Sequence, residues 1–131
     1  MAIADQLCAF RAQRIDTAVG TSKMLRSLAR IAGAAPSSDG PHAPRSLTRS
    51  DAERLLDKLA GMRCAERAKL PGVSERRGAQ LLAGAVVAAT TMDLLGLPEL
   101  RICPWALREG VMLTHRDATA AFPSWAIAQS R

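Results

Sequence analysis

An α/β layer, rich in helix and carrying few short parallel strands, is the fold the sequence predicts. Three observations lead there. Several stretches repeat their apolar residues at the three-to-four spacing of a helix. Two short apolar runs, Ile15–Val19 and Leu100–Cys103, have the length and setting of strands. Helices separate those runs, and strands joined through helices pair in parallel. The composition supports a core: 48% of the residues are hydrophobic but only 3% are aromatic, so that core is aliphatic. Two short strands do not complete a sheet, which marks the chain as part of something larger or as one that pairs with a partner.

In chain order, residues 2–13 carry a weak helical pattern, with Ile3, Leu7 and Phe10 on one side. The first strand follows, then the turn Gly20-Thr21-Ser22. A helix then sets Met24, Leu25, Leu28, Ile31 and Ala32 against Lys23, Arg26, Ser27 and Arg30, and Gly33 stops it. Residues 35–47, with three prolines, read as loop. Ser50-Asp51-Ala52-Glu53 has the capping-box form, with Thr48 as the alternative cap. The helix behind it buries Ala52, Leu55, Leu56 and Leu59. A shorter helical piece covers 63–70 and breaks at Pro71-Gly72. Ser74 caps the longest helix, over 75–95, whose stretch Leu81–Ala89 is apolar on every side, the mark of a central buried helix. Ala83-Gly84-Ala85 offers a close approach to a neighbour. Gly96 and Pro98 end that helix, and after the second strand a last helix spans 105–113. Residues 1–116 form the folded unit and 117–131 a flexible tail.

The net charge of +6 and pI of about 10.2 favour polyanions without choosing among them. No dense basic run with interleaved aromatics is present, so nucleic acid is the least supported partner. Cys8, Cys64 and Cys103 lie far apart, which argues for a reducing, cytoplasmic setting. Cys64 and Cys103 read as ordinary buried thiols and His115 as a surface residue. Isolated His42 and His115 build no zinc site by spacing. Residues 1–10 carry Asp5 and no basic leader, unlike a signal peptide. The longest apolar run is far short of the roughly 20 residues of a membrane span.

Two places are chemically suggestive. Gly20-Thr21-Ser22 stands between a strand and a helix start, where free N–H groups and the helix dipole favour an anion. The alternative is a plain turn in which Ser22 is the N-cap. Lys23 and Arg26 add charge there or serve as a solvated helix face. Arg76 and Arg77 stand at the start of the long helix, where cations oppose the dipole. That arrangement fits a nearby anion, an ion pair with Glu75 or simple exposure.

Three segments together resemble the Ppx/GppA phosphatases, the exopolyphosphatases and guanosine pentaphosphate phosphohydrolases, and are nearest to the actinobacterial type. They are Ala18-Val19-Gly20-Thr21-Ser22-Lys23-Met24-Leu25-Arg26-Ser27-Leu28-Ala29-Arg30-Ile31-Ala32-Gly33, then Leu70-Pro71-Gly72-Val73-Ser74-Glu75-Arg76-Arg77 with Ala83-Gly84-Ala85, and Ile102-Cys103-Pro104-Trp105-Ala106-Leu107-Arg108-Glu109-Gly110. The resemblance covers roughly residues 15–115 and is to the C-terminal portion of the second domain. It implies a partial ribonuclease H-like (actin-type ATPase) half-domain. It further implies magnesium-assisted hydrolysis of terminal phosphoryl groups of polyphosphate or guanosine pentaphosphate, by positioning and charge neutralisation. Gly20, Thr21, Ser22, Lys23 and Arg77 are then the phosphate-binding candidates, and a homodimer is the implied assembly. Arg108 and Glu109 read as a structural ion pair before a close-packed Gly110, with Glu109 as a water-activating base the lesser reading.

The departures from the family pattern are specific. No Asp-x-Gly-Gly-Gly-Ser segment, no first domain and no match to the family's water-activating glutamate occur here, so no catalytic residue or metal ligand is assigned. Met24 stands where the family carries threonine. The sequence therefore reads as a fragment, a truncated product or a remnant, inactive alone. A non-catalytic polyphosphate- or nucleotide-binding remnant is the first alternative, and a basic helical nucleic-acid- or partner-binding protein the second.

Overall fold

The computed structural model describes Asp5, Phe10 and residues 14–121, with side chains through Asp117. Most of the helix expected over 2–13, Cys8, and the tail beyond 121 lie outside the described residues. Strand β1 (Val19–Gly20) leads into helix α1 (Lys23–Ile31). Strand β2 (Ser46–Thr48) runs directly into α2 (Arg49–Ala60). A short α3 (Cys64–Arg67) precedes α4 (Leu81–Leu95), β3 (Glu99–Ile102) and α5 (Leu107–Ala121).

Three strands form one sheet in the order β1-β3-β2. β1 and β3 pair in parallel, with Val19 opposite Arg101 and Gly20 opposite Ile102. β2 pairs with β3 antiparallel, Leu47 opposite Leu100. The sheet is therefore mixed, not wholly parallel as the helix-separated runs predict. β2 was hidden inside the expected loop 35–47, which also holds a 3₁₀ turn at Ser37–Asp39. Only Leu47 of β2 is apolar, and it is fully buried. Three residues with one inward side chain make a strand only because β3 lies beside them.

The helices cover one face of the sheet. Leu28 of α1, Leu47 of β2, Leu59 of α2, and Leu81 and Met92 of α4 are the largest fully buried side chains. Ser27 is buried among them, and its hydroxyl donates to the carbonyl oxygens of Gly72 at 2.8 Å and Lys23 at 3.1 Å. This ties α1 to the 71–74 turn. Gly72 adopts φ +75°, and an added Cβ there would lie 2.9 Å from Cγ of Arg30, so the turn requires glycine twice over.

Several boundaries move from their expected positions. Thr48, not Ser50, caps α2: its Oγ1 accepts from the Asp51 N–H at 3.1 Å and donates to Asp51 Oδ2 at 2.7 Å. Ser74 makes no side-chain cap; Glu75–Arg77 form a separate 3₁₀ turn, and α4 begins only at Leu81. Between them Gly78 keeps helical dihedrals (φ −51°, ψ −40°), and a Cβ there would meet Ala68 within 3.0 Å, so the end of α3 crosses closely at this point. α4 is also not buried all round, since Val86 and Val87 are 44% and 65% exposed. Among the described residues α1 and α2 pack against it and leave Val86 and Val87 outside the contact. α3 covers only part of the expected 63–70. α5 starts later than expected and continues through Ala121, into residues assigned to the tail.

Thr48→Ala is expected to reduce stability by about 1 kcal/mol, measured by denaturant titration. The Asp51 carboxyl is held below its ordinary value of 3.8, first by the Thr48 hydroxyl and then by Arg54, against burial. A carboxyl lowered by folding stabilises the protein above its ordinary value, and that contribution disappears as pH falls through the lowered one. Stability is thus expected to decline below pH 3.8, and Thr48→Ala should flatten the decline.

Candidate functional site

Helix α1 places Lys23, Arg26 and Arg30 along one side by its i, i+3, i+7 spacing. These side chains line a cleft of about 660 Å³ together with Ser27, Gly72 and Arg77. Its opposite wall is the segment Ala35, Pro36, Ser37, Gly40 and Pro41 with Arg45, and Ile102 and Pro104 close the end. Five of its lining residues are cationic and none is a carboxylate. Like charges so gathered repel, and an anion between them relieves the repulsion.

The five cations are not equivalent. Arg26 Nη1 donates to the Pro104 carbonyl at 3.0 Å, and Arg30 Nη1 to that of Ala34 at 3.0 Å. Arg45 is the most committed. Its Nε donates to Ala35 O at 2.8 Å and its Nη1 to Ala43 O at 3.2 Å. Its Nη2 donates to Pro36 O at 2.6 Å and Gly40 O at 3.0 Å. One guanidinium thus organises the loop wall. Lys23 and Arg77 make no side-chain hydrogen bond or ion pair within the described residues. Lys23 is exposed and Arg77 half-buried.

The structure therefore brings together Lys23 and Arg77 of the five sequence candidates. Gly20, Thr21 and Ser22 do not line the cleft. Ser22 caps α1, its Oγ accepting from Leu25 N–H at 3.1 Å. Gly20 is buried, its carbonyl accepts from Cys103 N–H at 2.9 Å, and a Cβ there would sit 2.7 Å from Leu25 Cδ1. Thr21 is exposed. Arg76 is exposed away from the cleft, and because α4 starts at Leu81 neither Arg76 nor Arg77 opposes its dipole. Sequence reasoning missed Arg30 as a cleft residue, and it missed Arg45. A usable signal for Arg45 was there: a proline-rich loop lacks N–H donors for its own carbonyls, so a nearby arginine is the natural donor.

Glu109 makes the ion pair expected with Arg108 and also holds the start of α5. Its Oε2 accepts from Ala106 N–H at 2.9 Å, and Arg108 pairs with it at 3.3 Å. The Ala106 N–H, before Arg108, holds its carboxyl below the ordinary range. Gly110, however, has no atom within 4 Å of an added Cβ, so the expected close packing there does not occur. Cys64 is exposed and Cys103 half-buried, contrary to two buried thiols. Magnesium takes oxygen ligands, chiefly carboxylates and phosphates. The cleft lining supplies no carboxylate, and no group of three His, Cys, Asp or Glu able to hold a metal occurs among the described residues. Among the described residues, the donor set of this cleft does not fit a bound magnesium ion.

The chain is thus an α/β unit with five cationic side chains gathered in one cleft beside a strand-to-helix turn. It belongs to the Ppx/GppA phosphatase family, whose pattern it matches over residues 3–118. It is 48% identical over 105 residues to exopolyphosphatase 1 of Mycobacterium leprae, covering 80% of this chain and 31% of that protein. Its fold is similar to a Ppx/GppA family member of Aquifex aeolicus, with a TM-score of 0.70 and 21% identity over 92% of this chain and 40% of the other. An exopolyphosphatase of Cytophaga hutchinsonii gives a TM-score of 0.70 at 20% identity, over 87% and 38%. The chain thus spans about a third of the length of the relatives it matches, and the structural likenesses establish the actin-type ATPase fold.

Proposed function

We propose that this chain is the anion-holding part of a phosphoric anhydride hydrolase that removes terminal phosphoryl groups from polyphosphate in the cytoplasm. The observation that carries this reading is the pairing of Lys23 with Arg77. Two cations from separate elements face one cleft, and neither has a hydrogen-bond or ion-pair partner among the described residues. Lys23 and Arg77 contact the phosphates; Arg26, Arg30 and Arg45 shape the walls and add charge. The turn Gly20-Thr21-Ser22 fixes the start of α1 and so the position of Lys23. Hydrolysis requires a water-activating base and metal ligands, and this cleft offers neither. The chain alone therefore binds and does not hydrolyse, and the family's remaining portion supplies that chemistry.

Isothermal titration with a polyphosphate of defined length tests the binding. Lys23→Ala and Arg77→Ala are each expected to weaken it by about 2–5-fold and to lower the salt slope by about one. Equal affinity in wild type and the double variant would discard the reading. Incubation of the chain alone with polyphosphate and magnesium is expected to release no phosphate, whereas steady release would place a base within these 131 residues.

The carboxylate-free cleft also favours a second reading, a binding remnant for polyphosphate or a guanosine polyphosphate. Salt-sensitive binding, with no phosphate release even after the rest of a family enzyme is added, separates it from the first.

A further inference from the structure

Arg26 and Arg30 stand one turn apart on α1 and are tethered alike. Each commits Nη1 to a main-chain carbonyl at 3.0 Å, that of Pro104 for Arg26 and that of Ala34 for Arg30. In both, Nε and Nη2 make no hydrogen bond or ion pair among the described residues. Those two nitrogens form one edge of the planar guanidinium, an edge that grips a phosphate through two parallel bonds. Arg45 differs, because its three nitrogens are all bonded to loop carbonyls. Both tethered side chains are half-buried. The stem of Arg30 is fixed further by Gly72, where an added Cβ would lie 2.9 Å from Arg30 Cγ. An arginine held in this way loses little freedom when an anion arrives.

The spacing then decides what fits. α1 carries Lys23, Arg26 and Arg30 at intervals of about 4.5 and 6 Å along its axis. The tethers lead the two forks apart, Arg26 to Pro104 at the closed end of the cleft and Arg30 to Ala34 beside the loop wall. A single phosphate engages one fork at a time. A linear chain of phosphates engages both, and each further contact on the same chain is intramolecular. We propose that Arg26 and Arg30 read chain length: they are two bidentate clamps that make the cleft prefer tripolyphosphate and longer linear chains to orthophosphate or diphosphate. The inference rests on the anion-binding reading of the cleft and adds its selectivity. Each arginine shapes the wall through Nη1 and binds through its other two nitrogens.

Isothermal titration of the 131-residue chain with orthophosphate, diphosphate, tripolyphosphate and long-chain polyphosphate tests it. Tripolyphosphate is expected to bind about tenfold more tightly than diphosphate, less than the full gain of a second tethered contact because both arginines are partly exposed. Arg26→Ala and Arg30→Ala are each expected to reduce that preference to about twofold. Arg26→Lys keeps the charge and removes the fork, so it is expected to lose the preference as the alanine variant does while keeping the salt slope of wild type. A lysine variant that retains the preference overturns the proposal, since charge alone then accounts for it. No binding by any of the four compounds overturns the cleft reading and this inference together. Binding without preference in wild type overturns this inference alone. Arg30 packs on Gly72, so a readout on wild type covers a variant that fails to fold. There the Nε–H magnetic resonances of Arg26 and Arg30 are expected to shift together with tripolyphosphate and less with diphosphate. Resonances that stay in place with tripolyphosphate refute the proposal.

Discussion

Arg45→Lys is expected to weaken polyphosphate binding about tenfold and to destabilise the fold by about 2–4 kcal/mol, nearly as much as Arg45→Ala. The charge survives in the lysine variant, so a purely electrostatic role predicts almost no change. Geometry decides otherwise. The four carbonyls of residues 35, 36, 40 and 43 converge on three nitrogens of one planar group. An ammonium is a point donor and cannot span them. The loop has no replacement donors of its own at Pro36, Pro41 and Pro44, which lack N–H groups. Charge-assisted bonds contribute about 1.5–3 kcal/mol each, and the sum is smaller because the group is only half-buried and the four share one side chain. The same loop walls the cation cleft, so its collapse removes the surface opposite Lys23 and Arg77. Urea unfolding and polyphosphate titration of the two variants measure both effects. A lysine variant within about 0.5 kcal/mol of wild type, the scatter of ordinary surface substitutions, would show that the loop holds itself.

Gly84→Ala is expected to destabilise by about 1–2 kcal/mol, a fall of roughly 4–8 °C in melting temperature. Helix propensity alone predicts the opposite, a gain of about 1 kcal/mol. The deciding fact is Met24: a Cβ on Gly84 would lie 2.4 Å from its Cγ and 2.6 Å from its Sδ. Cγ is too near the backbone to be relieved by moving the end of the side chain; the whole residue must change rotamer. Overpacking of this kind costs about 1–3 kcal/mol, which outweighs the propensity gain. Met24→Ala removes the obstructing atoms, so Gly84→Ala in that background should stabilise. Additive losses in a thermal melt of the double variant would exclude this contact as the cause.

That contact also shows what the sequence could disclose. The glycine in the middle of an apolar helix signals a close approach, and the methionine is visible as a departure from the resembling family. Their meeting is a tertiary fact, with no periodicity to reveal it. α1, α2 and β3 were legible because each carries its pattern locally: an amphipathic face, a cap, an apolar run between turn residues. β2 was not, since Ser46-Leu47-Thr48 has one apolar residue and owes its conformation to β3. The start of α4 is not legible because Ser74 makes no side-chain cap and a 3₁₀ turn at Glu75–Arg77 intervenes. Lys23 was legible as a candidate through its strand-to-helix turn, and Arg77 mainly through the resemblance. Arg30 and Arg45 enter the cleft through the packing of a loop whose path no local signal specifies.

The junction of β2 and α2 has no connecting residue: Thr48 ends the strand and caps the helix, and Arg49 is already helical. One inserted residue in the strand would turn Leu47 from the core to the outer face. One inserted after the cap would turn the helix by about 100° against its neighbours. Neither error can be absorbed, because no slack separates the two elements. A variant that adds or deletes one residue there is expected to fold poorly even where the new residue is chemically harmless. Folding is therefore expected to tolerate a changed residue at positions 46–52 better than a changed length there.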